Sequence, residues 1–281
     1  MPEETARQKV ENLLEMMGDL PPMPEVATKV LEVANSEDAR VSDVTRLIAS
    51  DPGLATKVLG TCNSAYYGLP QRVKTLSRAV GLLGFKTVRN LVLVHSLPFN
   101  RSGVPGFAEK VIWSHAGGTA VAARILASEV GGVDAEEALL GGLIHDAGRL
   151  ALNLIMPEKY EKVLLKIYNR EGDSTAIETD LLGFDHTLAG QLVMRKWGLP
   201  DSLVSIVRDH HNPIEELDPP VLIVRAADEV SWILGQGVKA EEESMSELPP
   251  ALTALGFTLE SFDKLEEKVS VGMEQSRDIF G

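Results

Sequence analysis

The chain has 281 residues, of which 44% are hydrophobic, and a formal net charge of −14 at pH 7. This suffices for one large domain or two small ones with a packed core, and the single cysteine, Cys62, excludes an internal disulfide framework. The N-terminus lacks the apolar stretch of a signal peptide, and no run approaches the roughly 20 apolar residues of a membrane-spanning helix. We therefore expect a soluble, cytoplasmic protein without a membrane partner.

Charge is unevenly distributed along the chain. Residues 1–106 carry 12 Lys and Arg against 11 Asp and Glu, whereas residues 107–281 carry 15 against 30. No carboxylate occurs between Asp51 and Glu109, and we name the basic residues of that interval the basic window: Lys57, Arg72, Lys74, Arg78, Lys86, Arg89 and Arg101. The basic window suits a phosphorylated, nucleotide or acidic protein partner, and ordinary solvated helix faces are the alternative.

Apolar residues recur at helical spacing through nearly the whole chain. No stretch alternates apolar and polar residues long enough to suggest a sheet, so the pattern predicts an all-α fold. A proline-rich boundary at residues 21–24 precedes the first predicted helix. Ser42, Asp51 and Thr75 each stand before a periodic segment and are predicted N-caps. Gly84 is predicted to divide the helix that Thr75 caps.

A second boundary is predicted near the middle of the chain. Residues 98–106, PFNRSGVPG, are rich in turn formers and coincide with the change in charge. We therefore predict a two-lobed helical bundle, with an N-terminal lobe over residues 1–106 and a second lobe with a C-terminal extension over residues 107–281. Residues 239–250 have the composition of a surface loop, and a last amphipathic helix is expected from Leu259 to about Met273.

Five of the six histidines and two aspartates form an ordered series in apolar or small-residue segments such as ALLGGLIHDAGRLAL. These residues are His115, His145, Asp146, His186, His210, His211 and Asp228. Imidazole and carboxylate groups are the usual ligands of zinc, iron and manganese. Separate core histidines, each bonded to a backbone carbonyl, are the alternative. No pair has the spacing of a zinc finger, so the residues alone leave both interpretations open.

Several stretches resemble a known family. In the first half of the chain they are LPPMPEVATKVLEVANSEDARVSDVTRLIASDPGLATKVLGTCNSAYYG and KTLSRAVGLLGFKTVRNLVL, and in the second half WSHA, GGLIHDAGRLAL, DHTLAGQLVMRKWGLP and HHNP. From about Leu20 to about Gly235, the chain resembles HDOD domains, the HD-related output domains of bacterial signalling proteins. The resemblance implies a two-lobed helical fold whose C-terminal lobe is related to HD phosphohydrolases.

The same resemblance implies a metal site. Many HDOD domains have lost the His-Asp pair that this chain keeps, and the order of all seven residues matches the HD-GYP branch, which hydrolyses cyclic di-GMP at a two- or three-metal centre. It implies a divalent metal, iron or manganese, as up to two ions bridged by Asp146. By this likeness, one ion would be bound by His115, His145 and Asp228, and the second by His186, His210 and His211.

Three departures from the HD-GYP pattern argue against transferring the activity as well. Val111 stands where three-metal enzymes supply a Glu, and Arg149 replaces the usual Lys after the His-Asp pair, with a planar fork instead of a compact ammonium. After His211 the chain reads NPIEELDPP, without a GYP motif. If the chain is active, Asp146 and Arg149 are the expected catalytic residues.

Two functions follow as hypotheses. The leading one is a bacterial signal-transduction module of the HDOD type that binds metal and acts through a signalling protein or a nucleotide ligand at the basic window. The rival is a metal-dependent phosphohydrolase or phosphodiesterase, with Arg149, Arg195 and Lys196 as the candidate basic rim. DNA binding through a helix-turn-helix at residues 54–63 is disfavoured, because the net charge opposes it.

Overall fold

The computed structural model describes residues 12–13, 15, 17–18, 20–34, 36, 38–97, 106–169, 171–235 and 247–280. Within these ranges the chain is helical and contains no strand, which confirms the all-α prediction. The first helices are α1 (Glu25–Ala34), α2 (Val41–Ala49), α3 (Pro52–Cys62) and α4 (Leu76–Ser96).

The second half of the chain supplies the remaining helices. They are α5 (Phe107–Val130), α6 (Ala135–Ile144), α7 (Ala147–Ile155), α8 (Pro157–Tyr168), α9 (Ser174–Leu182), α10 (His186–Lys196), α11 (Asp201–Asp209), α12 (Pro219–Ile233), α13 (Pro250–Ala254) and α14 (Leu259–Phe280). A short 3-10 helix over Ile214–Glu216 precedes α12. The last helix extends past the predicted end at Met273, and most of the predicted loop at 239–250 lies outside the described residues.

Helix starts in the N-terminal region follow local capping chemistry. The Asp51 carboxylate accepts from the Leu54 amide at 3.0 Å, and the Thr75 hydroxyl accepts from the Arg78 amide at 3.3 Å, as predicted. Gly84 (φ 80°, ψ 168°) interrupts α4, also as predicted. The prediction for Ser42 is wrong: the extended residue before α2 is Arg40, so Ser42 already lies in the first turn.

Two groups of buried apolar side chains form the main cores. Helices α1 to α4 enclose the smaller one, which includes Val30, Ile48 and Val58. The larger one fills the second half of the chain and also takes in Leu13, Met17, Leu20, Leu93 and Leu97. These three residues before Pro21 and the end of α4 therefore pack with the second lobe. The boundary at residue 106 stays a prediction, since residues 98–105 lie outside the described part.

Polar contacts also join the N-terminal segment to the end of α10. Trp197 Nε1 donates to the Pro21 carbonyl at 3.0 Å, and Lys196 Nζ donates to the carbonyls of Met17 at 2.5 Å and Leu20 at 3.3 Å. The expectation that Lys196 contributes to a basic rim is therefore wrong, because its ammonium is committed to the N-terminal backbone.

Glycines allow the helices around the histidine series to approach closely. A Cβ on Gly142 would lie 2.7 Å from the Thr119 carbonyl oxygen, so α6 and α5 are nearly in backbone contact. A Cβ on Gly148 would overlap the His186 carbonyl oxygen and lie 2.7 Å from the Gly190 amide nitrogen. The crossing of α7 and α10 therefore requires glycine, and it brings the loop at Asp146 next to His186.

None of the described helices combines the length and apolar content needed to cross a bilayer.

Candidate metal centre

The seven predicted residues come from separate helices and meet inside the second lobe. His115 lies in the middle of α5, and His145 and Asp146 form the junction between α6 and α7. His186 is the first residue of α10. The remaining three are His210 and His211, which follow α11, and Asp228, which lies in α12. Only His211 is half-buried, and the other six are buried.

Asp146 lies at the centre of this cluster. Its Oδ1 is 3.2 Å from His186 Nε2 and 3.8 Å from His210 Nε2, and its Oδ2 is 3.5 Å from His145 Nε2 and 3.8 Å from His115 Nε2. Each carboxylate oxygen therefore faces a different pair of histidines. This is the arrangement that a bridging carboxylate needs.

Asp228 completes one side of the cluster and His211 the other. Asp228 Oδ1 is 2.9 Å from His115 Nε2 and 3.9 Å from His145 Nε2. The rings of His211 and His210 lie 4.3 Å apart, centroid to centroid. Two groups of side chains could each hold a divalent metal ion: His115, His145 and Asp146, and His186, His210 and His211.

Hydrogen bonds donated by Nδ1 orient four of the five rings. Nδ1 of His145 lies 2.7 Å from the Gly142 carbonyl, and Nδ1 of His210 lies 3.0 Å from the Val207 carbonyl. A carbonyl only accepts, so both rings carry their proton on Nδ1 and keep a lone pair on Nε2. A metal ligand needs that tautomer.

Side chains hold the other two rings in the same way. His186 Nδ1 is 2.6 Å from Glu178 Oε2, and the same oxygen accepts from the His186 amide at 2.8 Å. Ser231 Oγ donates to the His115 carbonyl at 3.3 Å, and the same oxygen lies 3.3 Å from His115 Nδ1. Because Ser231 donates its hydroxyl proton to the carbonyl, its oxygen accepts from Nδ1 of the His115 ring. Nε2 of both His115 and His186 therefore faces the cluster.

Several buried polar atoms of the cluster have no hydrogen-bond partner. They are His115 Nε2, Asp146 Oδ1, Asp228 Oδ1 and Arg149 Nε. The contact of 2.9 Å between His115 Nε2 and Asp228 Oδ1 has the length of a hydrogen bond but lacks its angles. Leaving His115 Nε2 and Asp228 Oδ1 unpaired costs roughly 1–3 kcal/mol each, whereas Asp146 Oδ1 and Arg149 Nε form an ion pair at 2.9 Å. Bare nitrogen and carboxylate oxygen atoms turned toward a shared centre fit a divalent cation.

The electrostatics of the site favour ionised carboxylates. Burial by itself raises the pKa of Asp146, but Arg149 and the neighbouring histidines outweigh it and hold the pKa well below its usual range. The pKa of Asp228 is also lowered, because His115 and the other rings outweigh its burial. Both side chains are therefore ready to accept a cation.

The histidines around these carboxylates are mostly held neutral. Burial lowers the pKa of His210 to about 3 and also lowers that of His145 and His211. His186 is the exception: burial lowers its pKa, but the Glu178 carboxylate outweighs it and the pKa is raised. Neutral imidazole is the form that binds metal.

Arg149 lies beneath the cluster and not on an open rim. Its side chain is buried, its Nε is 2.9 Å from Asp146 Oδ1, and its Nη2 donates to Ser174 Oγ at 3.0 Å. The guanidinium therefore balances the charge of Asp146 and reaches α9.

The structure adds residues that the sequence analysis did not consider. Glu178 and Ser231 orient ligand histidines, and Tyr160 donates to Glu178 Oε1 at 2.7 Å. Arg225 Nη1 lies 2.8 Å from His211 Nδ1. Arg225 could have been predicted from the sequence, because it lies three residues, or about one helical turn, before Asp228. Glu178 could not, because nothing in its local sequence distinguishes it from exposed glutamates.

The basic window contains no carboxylate in sequence, but in the folded chain carboxylates from the second lobe lie next to one of its residues. Lys86 Nζ lies 2.8 Å from Asp134 Oδ2 and 3.8 Å from Glu137 Oε1, both in the second lobe. Four other basic side chains are exposed: Lys57, Arg72, Lys74 and Arg78. His95, which the series did not include, is partly buried with Nε2 2.9 Å from Thr61 Oγ1. Arg101 lies outside the described residues.

Solved structures share this architecture. An HDOD domain protein with unknown function from Geobacter sulfurreducens superposes with a TM-score of 0.80 at 19% identity, over 99% of each chain. A candidate phosphohydrolase from Shewanella amazonensis superposes with a TM-score of 0.74 at 25% identity, over 95% of this chain and 97% of that one.

Curated relatives are longer than this chain. An uncharacterized protein of Treponema pallidum is 26% identical over 207 residues, which are 72% of this chain and 39% of the relative. Ribonuclease Y of Thermosipho melanesiensis is 28% identical over 120 residues, or 43% of this chain and 18% of the enzyme. The chain thus spans less than half the length of these relatives.

A family model for the HDOD domain matches residues 20–213, which include six of the seven predicted ligands, all except Asp228. With the helical fold and the structural likeness described above, this match identifies the family: the chain belongs to the HDOD domain family.

Proposed function

We propose that this protein is a bacterial signal-transduction module whose second lobe is built around a divalent metal centre. The observation that carries the proposal is the convergence of six ligand-type side chains around Asp146, with the Nε2 atoms of four rings turned toward its carboxylate. Most of these residues are buried, which is typical of metal sites that stabilise or sense. Catalytic metal sites keep one coordination position of the ion open to water or substrate.

The ligands divide into two sets in this proposal. One ion is bound by His115, His145, Asp146 and Asp228, and the second by Asp146 and the remaining histidines: His186, His210 and His211. Iron and manganese suit imidazole and carboxylate ligands, and we propose one of these as the resident metal. Metal occupancy would then couple the junction of α6 and α7 to α10, α11 and α12.

We propose that the partner meets the exposed side chains of the basic window. Lys57, Arg72, Lys74 and Arg78 suit an acidic protein surface or a nucleotide. Lys86 is excluded from this surface, because it already pairs with Asp134.

The alternative function is a metal-dependent phosphohydrolase, and two observations favour it. The chain resembles a candidate phosphohydrolase and ribonuclease Y, and it keeps the intact His145–Asp146 pair with Arg149 against the carboxylate. Bound divalent ions supply Lewis acidity and lower the pKa of water in such enzymes. In that function Asp146 would hold the ions together, and Arg149 would keep the carboxylate ionised and oriented.

The two functions are separated by metal analysis and turnover on the same sample. The full chain is purified anaerobically, its iron and manganese are counted, and it is offered cyclic dinucleotides, a generic phosphodiester and a single-stranded RNA. Bound metal without turnover supports the module, and turnover that Asp146→Asn abolishes supports the enzyme. A protein that takes up neither iron nor manganese contradicts both proposals. Asp209→Asn, which alters a half-buried carboxylate next to His210 that is not one of the proposed ligands, is the matched control.

A further inference from the structure

His211 differs from the other histidines of the cluster in the partner of its ring. Arg225 Nη1 lies 2.8 Å from His211 Nδ1. A guanidinium only donates hydrogen bonds and keeps its charge at any pH that a folded protein meets, so His211 Nδ1 must accept. The ring proton of His211 is then on Nε2. The other four rings differ from it, because each donates a hydrogen bond through a proton on Nδ1.

Arg225 is itself held in place. Its Nε donates to Glu229 Oε1 at 2.9 Å, and its Nη1 also lies 3.3 Å from the carbonyl of His210. The Glu229 side chain is 13% exposed and that of Arg225 is 27% exposed. The guanidinium therefore spans the gap between α12 and the end of α11, with one side on a carboxylate and the other on the two consecutive histidines.

This contact removes both nitrogens of His211 from metal binding. A ligand nitrogen needs a free lone pair, but the lone pair of Nδ1 is directed at Arg225 and Nε2 carries the proton. His211 can bind an ion only if Arg225 moves and the ring changes its tautomer. His211 and Arg225 are both half-buried, whereas the other six ligand residues are buried, so this pair lies on the accessible side of the cluster.

We propose that Arg225 prevents His211 from binding the second metal ion, and we call the contact between Arg225 and His211 the latch. With the latch closed, the second ion is offered Asp146, His186 and His210; with the latch open, His211 is added. This inference rests on the proposed metal centre and assigns Arg225 as a positioning residue for it. A partner or anion that draws the guanidinium away would strengthen binding of the second ion.

The tautomer of His211 tests the latch without any metal. Long-range nitrogen–proton NMR spectra of the metal-depleted protein, labelled with 15N-histidine, distinguish a bare Nδ1 from a bare Nε2, and His211→Gln assigns the signal. We expect a bare Nδ1 on His211 and a bare Nε2 on His145 and His210. A protonated Nδ1 on His211 would overturn the proposal, whatever the metal content of the protein.

Metal titration tests the consequence. Manganese is titrated into the metal-depleted protein, and the affinities of the two ions are measured separately by calorimetry and electron paramagnetic resonance. We expect His210→Ala to weaken the second ion at least about tenfold, because it removes a ligand, and His211→Ala to change it less than about threefold, because His211 is not a ligand while Arg225 holds it. Equal weakening by the two substitutions would overturn the latch.

Opening the latch provides the reciprocal test. Arg225→Met is combined with Glu229→Gln, because the Glu229 carboxylate would otherwise lose the cation that it pairs with. Circular dichroism and NMR check that the double variant is folded. We expect the second ion to bind about tenfold more tightly in this double variant, and His211→Ala to abolish the gain. An unchanged affinity in the folded double variant contradicts the latch. If the unaltered protein binds no second ion, the proposed two-ion centre fails, and the NMR result still decides the latch.

Discussion

The carboxylate of Glu178 accepts two hydrogen bonds from His186, one from its amide at 2.8 Å and one from ring Nδ1 at 2.6 Å. The other oxygen of Glu178 accepts from Tyr160 at 2.7 Å, and all three side chains are buried. The start of α10 and the orientation of one proposed ligand therefore depend on one carboxylate in α9.

Replacing Glu178 by Gln tests this orientation. The amide cannot supply the negative charge that holds the Nδ1 proton of His186, so we expect the second ion to bind about 10–100-fold more weakly, the range for partners of ligand histidines. The first ion should bind nearly as before. Manganese titration of the metal-depleted protein measures both, with the exposed Glu161→Gln as control. Equal weakening of both ions would contradict a specific role for Glu178.

The two aspartates of the cluster should differ in effect. Asp146 faces both groups of histidines, whereas Asp228 contacts only His115 and His145. We expect Asp146→Asn to abolish binding of both ions and Asp228→Asn to abolish only the first. Elemental analysis counts the ions, and Asp209→Asn should retain both. Retention of one ion by Asp146→Asn would show that this residue is not a bridge.

The close crossing of α7 and α10 makes Gly148 sensitive to any side chain. A Cβ there would overlap the His186 carbonyl, so we expect Gly148→Ala to lower the free energy of unfolding by roughly 3 kcal/mol. Gly60 lies in α3 with nothing within 4 Å of an added Cβ. Gly60→Ala should therefore be neutral or stabilise by about 0.5–1 kcal/mol. Urea denaturation measures the free energy of unfolding of both variants. A Gly148→Ala variant as stable as the unaltered protein would contradict the close crossing of α7 and α10.

His95 should make stability depend on pH, independently of the cluster. Burial and then the nearby Lys57 lower its pKa to about 4, whereas an unfolded histidine has a pKa of about 6.5. The unfolded state therefore binds more protons between these values. Its contribution to stability is complete above about pH 6.5 and is lost as the pH falls toward 4.

Replacement by Gln isolates this effect. We expect the unaltered protein to lose about 2 kcal/mol more stability than His95→Gln between pH 7 and pH 4.5. Urea denaturation of the metal-depleted protein measures the difference, and between pH 7 and pH 8 the two proteins should change in parallel. A parallel loss down to pH 4.5 would mean that His95 is not buried as a neutral ring.

Local features of the chain were predictable because they depend on neighbours in sequence. Asp51 and Thr75 cap helices through amides three residues away, and Gly84 breaks α4 through its own backbone. The failure at Ser42 has the same local origin, since the helix begins one residue before it.

The sequence by itself determined the helical class, the helix starts at Asp51 and Thr75, the family resemblance and the order of the seven ligand-type residues. Only the tertiary structure decided that His115 and Asp228, more than a hundred residues apart, lie 2.9 Å from each other. It also decided that Arg225 binds His211 and Glu178 binds His186. The physical reason is that helix capping is a contact within one turn, whereas a cluster depends on how whole helices cross. Glycines such as Gly148 permit a close crossing, but which helices cross there is decided by the packing of the whole chain.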